Sequence, residues 1–252
     1  IVDYGDADAL AEAAVDCQVA VHLVGVIRES KATSYTQAHE DTCRALTFAA
    51  RTAGIGHIIY LSIFGADPAS PNTCLASKGR AEDLLRESAI RTTILRIPMV
   101  LGPGDPSTQG LVRQARARLV PLARGGATLQ QPIDTRDVVA AIIAATRQAA
   151  CGDVTLDLGG PESLSHAALI ERTARILGTQ PSFFRVPLAP ARLLIRTLDS
   201  LLSESPITLA MFDVLQHDDD IDPEKACARL GIQLLPLDET LRYCVAEEGS
   251  TA

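Results

Sequence analysis

The stretch Val19-Ala20-Val21-His22-Leu23-Val24-Gly25 is a short, mostly apolar run that ends in glycine. Such a run is typical of a strand buried on both faces of a parallel sheet, and His22 within it is predicted to be a core histidine. Further runs of this kind follow at residues 57–62, 92–96 and 154–158. Helical patterns separate them at residues 8–16, 36–53, 76–88 and 138–148. This alternation predicts an α/β fold with a doubly wound parallel sheet.

The pattern changes after Gly159-Gly160-Pro161, where helix signals replace the alternation. Ser165 is a candidate N-cap for a helix that runs to residue 177, and residues 189–202 are amphipathic. Asp222-Pro223-Glu224 opens a short helix, which Gly231 ends. We therefore predict two regions, a main domain over residues 1–155 and a smaller, helix-rich region over residues 156–252.

Composition limits the function. The 252 residues carry a net charge of −8 and show no basic patch among aromatic residues, so nucleic-acid binding is not expected. Six scattered cysteines without a C-x-x-C pair favour a reduced, cytoplasmic protein. No apolar run approaches the ~20 residues of a membrane span, and the start lacks the positive region of a signal peptide. The acidic stretch at residues 217–220 lacks the spacing of a calcium loop, so no metal site is predicted.

Six segments in a fixed order carry a resemblance to a known family. They are HLVG (22–25), YLSIFGAD (60–67), SKGRAE (77–82), LRIPMVLGPGD (95–105), QPIDTRDV (131–138) and LGGPE (158–162). The chain resembles the extended, atypical branch of the short-chain dehydrogenase/reductase superfamily. Within that branch it is similar to the NAD-dependent epimerase/dehydratase-like proteins, which include the nucleotide-binding accessory subunit of respiratory complex I. The resemblance implies a Rossmann-like fold, NAD or NADP as cofactor, and oxidoreductase or epimerase chemistry on a small molecule.

The start of the chain departs from the pattern of this family. The family's phosphate loop, a G-x-x-G-x-x-G motif after the first strand, does not occur in these 252 residues. Ile1-Val2 resembles the end of the third strand, so two β–α units, about 50 residues, would be missing. On this interpretation the chain lacks the pyrophosphate site and the residues that distinguish NAD from NADP.

The resemblance assigns the cofactor contacts to the carboxyl ends of the strands, where ligands bind in such sheets. Asp3 and Tyr4 match an adenine-binding pair, although Asp3 could instead cap the helix that follows. Gly25 would let the cofactor approach the backbone closely, or it is a plain turn glycine. The full set of implied cofactor residues is Asp3, Tyr4, Leu23, Val24, Gly25, Leu61, Lys78, Ile97, Pro98 and Val100.

The implied catalytic residues are Ser62, Cys74 and Lys78. Active relatives carry Tyr-x-x-x-Lys, but here Cys74 occupies the tyrosine position and a thiol replaces the phenol that would pass a proton. Cys74 and Lys78 are four residues apart and so share a helix face. Lys78 would bind the nicotinamide ribose, with or without catalysis, and Ser62 would polarise a substrate oxygen. Cys74 is either a thiolate activated by Lys78 or a small apolar filler.

Two functions remain open. One is an NAD(P)-dependent oxidoreductase or epimerase acting on a small molecule, in which water or another group supplies the proton. The other is a catalytically silent NAD(P)H-binding scaffold, such as an assembly or redox-sensing subunit. Arg185, Arg192 and Arg196 lie on or near the apolar helix at residues 191–202. That helix could contact a protein complex or a membrane surface, giving a membrane-associated protein, or it could pack on its own domain.

Overall fold

The computed structural model describes residues 2–147, 153–201 and 208–250. The chain divides into two compact units, each assembled from three segments. Unit 1 comprises Ile1–Arg96, Ile142–Leu156 and Leu198–Leu215, and unit 2 comprises Ile97–Ala141, Asp157–Thr197 and Gln216–Ala252. Segments of the two units follow one another in turn along the chain, whereas the predicted domains are two uninterrupted stretches that meet at residue 155. The predicted division stays a prediction. Four residues in the predictions lie outside the described ranges, namely Ile1, Gln148, Cys151 and Leu202.

The helices, in chain order, are α1 (Ala7–Ala13), α2 (Thr42–Ala53), α3 (Thr73–Arg86), α4 (Pro106–Arg116), α5 (Thr135–Arg147), α6 (His166–Leu177), α7 (Leu188–Leu201), α8 (Leu209–Leu215), α9 (Glu224–Leu230) and α10 (Leu237–Ser250). A π-helical segment, Thr36–Asp41, leads directly into α2. The strands are β1 (Val19–His22), β2 (His57–Ile63), β3 (Arg91–Ile97), β4 (Val100–Leu101), β5 (Leu119–Ala123), β6 (Leu129–Gln130), β7 (Ile133–Asp134), β8 (Val154–Asp157), β9 (Leu164–Ser165) and β10 (Ser182–Val186).

The main sheet has the strand order β1-β2-β3-β8. β1 and β2 are parallel, with Val19 opposite His57 and His22 opposite Tyr60. These are the four runs that the sequence predicts as strands, so the predicted α/β class is confirmed. β1 is shorter than predicted, because it ends at His22 and leaves residues 23–25 as the segment that follows the strand. Val2 lies outside any strand, contrary to its predicted position at a strand end.

One local signal fixes the start of α3, the helix that carries the predicted catalytic pair. The Asn72 side-chain oxygen accepts hydrogen bonds from the backbone amides of Cys74 and Leu75, which satisfies two of the free amides of the first turn. The helix therefore starts at Thr73, three residues earlier than predicted, and Cys74 lies in its first turn. α2 ends as predicted at Gly54, whose φ of 76° is in the left-handed region that glycine adopts readily.

The core of unit 1 lies where α2 and α3 pack on the main sheet. Its fully buried members include side chains of both helices and of β2 and β3, namely Cys43, Ala50, Ile58, Tyr60, Ala81, Leu85 and Ile94. Burial of these aliphatic and aromatic groups supplies the main favourable term for folding of the unit. Because α3 contributes to this core along its length, polar residues on the same helix face are drawn into the interior with it.

Unit 2 has its own core and three short strand pairs. β5 pairs with β10 and β4 pairs with β7, both in parallel, while β6 and β9 are antiparallel. Buried residues of α4, α6 and α10 form one cluster with β5, including Leu111, Leu122, Leu169 and Leu241. No sequence pattern indicates α4, α8, α10, β5, β10 or the four two-residue strands. Along the residues that the structure describes, no helix is both long and apolar enough to cross a bilayer.

The predicted caps of unit 2 are confirmed. The Ser165 hydroxyl accepts from the Ala168 amide at the start of α6. The Asp222 carboxylate accepts from the Glu224 amide at the start of α9, and Gly231 ends that helix with a φ of 69°. These local signals therefore specify where both helices begin and where α9 ends.

Candidate functional site

Three of the predicted cofactor residues meet beyond the end of β1. Gly25 lies three residues past the strand, and a Cβ at this position would lie only 2.8 Å from the Nζ atom of Lys78. The Lys78 ammonium donates a hydrogen bond of 3.3 Å to the backbone carbonyl of Leu61 in β2. The structure thus brings Gly25, Leu61 and Lys78 together, and we call this group the lysine edge.

The lysine is buried, and no acidic side chain in the described part of the chain pairs with it. Lys78 is 8% exposed, and its ammonium lies 4.7 Å from the centroid of the Tyr60 ring. Among the described residues, no carboxylate lies within ion-pair distance of its Nζ atom. Burial is the main reason why the pKa of Lys78 falls to about 8, since it disfavours the charged form. An ammonium has three N–H donors, so Lys78 can still donate to a ligand.

Ser62 has a different environment from Lys78. Its hydroxyl donates a hydrogen bond of 2.6 Å to Glu82 Oε1 in the protein interior. Arg96 donates to both oxygens of Glu82, from Nε over 2.8 Å and from Nη2 over 2.6 Å, and Arg86 donates to Oε2 over 2.7 Å. We call these four residues the Glu82 cluster. The Ser62 hydroxyl is already committed there, so its predicted role on a substrate oxygen would require it to leave this bond.

Cys74 is a buried thiol. It is 2% exposed, and its Sγ atom lies 3.9 Å from the Val26 carbonyl oxygen. Burial raises the pKa of the thiol to about 11, and this effect outweighs the opposite influence of the Lys78 charge. At neutral pH the sulfur is therefore protonated, which supports the small-filler interpretation over the reactive thiolate.

A hydrogen-bonded histidine that the sequence analysis missed holds the segment after Gly25. The His39 Nδ1 atom is 3.0 Å from Ser77 Oγ, which itself donates to the Tyr35 carbonyl. The other ring nitrogen, Nε2, lies 3.1 Å from the Val26 amide nitrogen and 3.0 Å from the Val26 carbonyl oxygen. Burial lowers the pKa of His39 to about 4, so the ring stays neutral. A histidine and a serine 38 residues apart show no joint sequence signal.

Tyr4 of the predicted adenine pair and His22 form a second polar group. The Tyr4 hydroxyl lies 2.6 Å from His22 Nδ1, and the His22 ring stacks on Tyr60 with centroids 5.2 Å apart. Burial lowers the pKa of His22 to about 3, in agreement with the predicted core histidine. The Asp3 carboxylate accepts from the Gly5 amide, a local turn contact rather than a bond to the first turn of α1. Asp6, not Asp3, caps that helix.

The remaining predicted residues follow β1 or lie in unit 2. Leu23 and Val24 precede Gly25 in the segment that leaves β1, and Leu23 is exposed. Ile97 is the buried last residue of β3, Pro98 follows it, and Val100 pairs with Ile133 through β4 and β7. Their predicted place beside a nicotinamide stays a prediction. Over the described ranges, no group of three or more His, Cys, Asp or Glu side chains is arranged to hold a metal ion.

Comparison with known proteins identifies the class of ligand. Residues 1–149 match the model of a family described as NAD(P)H-binding. The chain is 28% identical over 186 residues to a ceramide reductase of Caulobacter vibrioides, covering 73% of this chain and 58% of that protein. It is 26% identical over 222 residues to the mitochondrial NADH dehydrogenase (ubiquinone) 1 alpha subcomplex subunit 9 of Arabidopsis thaliana, covering 86% and 54%. The chain thus spans less than two thirds of the length of these relatives.

Solved structures share the fold. A nucleoside-diphosphate-sugar epimerase of Staphylococcus aureus superposes with a TM-score of 0.73 at 19% identity, covering 96% of this chain and 82% of that one. The UDP-glucuronic acid 4-epimerase of Bacillus cereus, solved with NAD, gives a TM-score of 0.73 at 15% identity, with coverages of 96% and 78%. The Rossmann-like architecture and the predicted resemblance to the complex I subunit are confirmed, and the epimerase structures share the fold. The chain belongs to the NAD(P)H-binding family, and the cofactor class predicted for it, NAD or NADP, is confirmed with it.

Proposed function

We propose that this chain is an oxidoreductase that holds a nicotinamide dinucleotide at the lysine edge and acts on a small molecule with a carbonyl or hydroxyl group. One observation carries the proposal. The buried ammonium of Lys78 lies against Gly25 at the end of a parallel strand and keeps unused donors. Ligands of open α/β sheets bind at this end of the strands, so Lys78 lies where a ligand is expected.

The residues of the lysine edge fit a dinucleotide. With a pKa of about 8, Lys78 is mostly protonated at neutral pH and can donate to the hydroxyl groups of a ribose. The missing side chain at Gly25 makes room for the Lys78 ammonium, whose Nζ atom would lie 2.8 Å from a Cβ at this position. When bound, the nicotinamide supplies or accepts the hydride. Gly25 and Lys78 would hold and orient it.

The proton needed for carbonyl reduction has a different source from that of tyrosine-dependent relatives. Cys74 cannot replace the phenol, because its thiol is short, buried and a weak hydrogen-bond donor. Ser62 donates its hydrogen to Glu82. A water molecule bound with the substrate is therefore the proton source that we propose. The relative named ceramide reductase supports including lipid carbonyl compounds, beside sugar nucleotides, among candidate substrates.

The second candidate function is a silent NAD(P)H-binding subunit. The observation in its favour is the same Cys74, which leaves the position of the proton-donating phenol filled by a buried thiol. Two further relatives named as subunits of NADH dehydrogenase or NADH-ubiquinone oxidoreductase are in keeping with a role inside a larger assembly. Both candidates require the lysine edge to bind a nucleotide, and they differ only in turnover.

The test measures nucleotide binding and turnover separately. NADH and NADPH are titrated by fluorescence into the wild type, Lys78→Met and the matched control Lys225→Met, whose lysine is exposed. Loss of a charged hydrogen bond should weaken binding about tenfold in Lys78→Met alone. Oxidation of NADPH is then followed with ketone lipids and sugar nucleotides. Binding without turnover supports the silent subunit, whereas equal affinity in wild type and Lys78→Met contradicts the proposed site.

A further inference from the structure

The two-stranded β5–β10 sheet of unit 2 has one edge that can accept a further strand. Among the described residues, β10 pairs only with β5. The Ser182 amide donates to the Arg118 carbonyl, which directly precedes β5. Backbone groups of successive strand residues point to alternate sides, so those of Phe183 and Arg185 point away from β5. In the described chain their N–H and C=O groups therefore line an edge without a strand partner.

The opposite edge of this sheet is closed to pairing. The Arg118 carbonyl points to β10, so by the same alternation Val120 faces β10 and Pro121 faces away from it. Proline has no N–H to donate, which leaves the outer edge of β5 without a donor at that position. The sheet can thus be extended on the β10 side, along the five residues Ser182–Val186.

The outer face of the sheet is apolar and open. Phe184 lies opposite Pro121, two residues after Leu119, so the three side chains share one face. Leu119 and Phe184 are 59% and 45% exposed, whereas Val120, on the other face, is 2% exposed and belongs to the core of unit 2. A strand added beside β10 would cover part of the Phe184 ring.

The charge around this edge is entirely positive. Residues 106–133 and 173–198, which include both strands, contain several arginines but no Lys, Asp or Glu, although the whole chain has a net charge of −8. Arg118 and Arg185 are exposed and take part in none of the ion pairs that the structure describes in unit 2. A surface rich in arginine and aromatic residues but poor in lysine, aspartate and glutamate has the composition of a protein–protein interface.

We propose that β10 binds an extended, acidic segment of a partner protein, which adds to the β5–β10 sheet as a third strand. The backbone of the segment would bond to the N–H and C=O groups of Phe183 and Arg185, and one of its carboxylates would pair with the Arg185 guanidinium. An apolar side chain of the segment would pack on Phe184. Pairing between the β10 edges of two copies is disfavoured, because it would bring two Arg185 side chains into one short sheet. The proposal rests on unit 2 and does not depend on nucleotide binding or turnover.

The test is fluorescence anisotropy with a labelled peptide of alternating glutamate and valine, and a lysine–valine peptide is its control. The full 252-residue chain is compared with Arg185→Glu, Arg185→Ala and Arg185→Pro. Arg185→Ala removes the charge and keeps the backbone N–H, whereas Arg185→Pro removes both. The matched control Arg147→Glu reverses the charge of an exposed arginine of α5, outside the two stretches. Circular dichroism checks that each variant is folded.

The wild type and Arg147→Glu should bind the glutamate peptide and not the lysine peptide, and binding should weaken with salt. Arg185→Glu should bind about tenfold more weakly than the wild type. Arg185→Pro should bind several-fold more weakly than Arg185→Ala, because it also loses a backbone hydrogen bond. In the wild type, the peptide should slow hydrogen exchange at the Phe183 and Arg185 amides, as NMR would show.

Four results would overturn the proposed strand addition. The first is no binding of the glutamate peptide by the wild type, and the second is equal affinity in the wild type and Arg185→Glu. The third is exchange at the Phe183 and Arg185 amides that the peptide does not slow. The fourth is a wild-type dimer that Arg185→Pro dissociates, since a second copy of the chain would then occupy the edge.

Discussion

Two charged side chains one turn apart on α3 have opposite surroundings. Glu82 is fully buried and accepts four hydrogen bonds from Ser62, Arg86 and Arg96. Lys78 is almost as deeply buried and makes a single long hydrogen bond, to a backbone carbonyl. A satisfied buried charge joins elements of the fold, here α3 to β2 and β3. A buried charge with unused donors is available to a ligand, so the difference separates a structural cluster from the proposed nucleotide site.

The largest expected effect comes from breaking the Glu82 cluster. Glu82→Ala leaves the Ser62 hydroxyl and the Arg96 guanidinium without their shared acceptor, and removal of one partner from a buried pair is strongly destabilising. We expect a loss of about 3 kcal/mol in the free energy of unfolding, below the upper end of the range because both arginines are partly exposed. Urea unfolding followed by circular dichroism measures it.

The neighbouring Asp83→Ala serves as the control for Glu82→Ala. Asp83 pairs with Arg86 at the surface, and exposed pairs contribute less than about 1 kcal/mol. A Glu82→Ala variant that unfolds at the same urea concentration as Asp83→Ala would contradict the structural role of the cluster.

Lys78 should respond to pH in a way that Glu82 does not. The pKa of Lys78 is about 8 in the folded chain, against 10.5 for an ordinary lysine. Between these two values the unfolded chain holds the proton that the folded chain has released, so stability rises with pH across this window. Below about pH 8 both states are protonated, and the full cost of burying the charge applies.

The measurement compares the wild type with Lys78→Met at several pH values. Relative to the variant, the wild type should gain about 1 kcal/mol between about pH 7 and about pH 9. Taking the difference removes the buried thiols Cys43 and Cys74, whose raised pKa values act in the opposite direction. A difference that stays constant with pH would mean that Lys78 is not buried as a charged group.

The sequence predicts the lysine edge better than the Glu82 cluster, for a physical reason. The strand ends at residues 22–25 and 61–62, the helix face of Lys78 and the caps at Gly54, Ser165 and Gly231 are all set by local patterns. Glu82 was part of a family marker, but nothing local indicates that its partners would come from β2 and β3. The missed His39–Ser77 contact is equally nonlocal. Short strands such as β5 and β10 form only because a partner strand is present, so their own residues gave no clear signal.

The substitution Gly25→Ala tests whether the position of the Lys78 ammonium depends on the absence of a side chain at residue 25. In Gly25→Ala the new methyl group would press on the Nζ and Cε atoms of Lys78, which can move because they are the end of a flexible side chain. The cost in stability should be below about 1 kcal/mol, while displacement of the ammonium should weaken NADPH binding several-fold. Gly56→Ala is the control, since nothing lies within 4 Å of its added Cβ. Equal NADPH affinity in Gly25→Ala and Gly56→Ala would show that nucleotide binding does not depend on the close contact between Gly25 and Lys78.

The smallest expected effect is at Cys74, on the same helix face as Lys78. If the buried, protonated thiol acts only as filler, Cys74→Ala should lower stability by no more than about 1 kcal/mol and leave nucleotide affinity unchanged.

The reactivity of the Cys74 thiol can be compared with that of Cys17, which is exposed and so is not shielded from solvent. Labelling with iodoacetamide at about pH 8 should modify Cys17 first and Cys74 only after unfolding, as mass spectrometry of peptides would show. Rapid labelling of Cys74 in the folded chain would mean that the nearby Lys78 charge activates the thiol after all, and that the two residues of this turn act as one reactive pair.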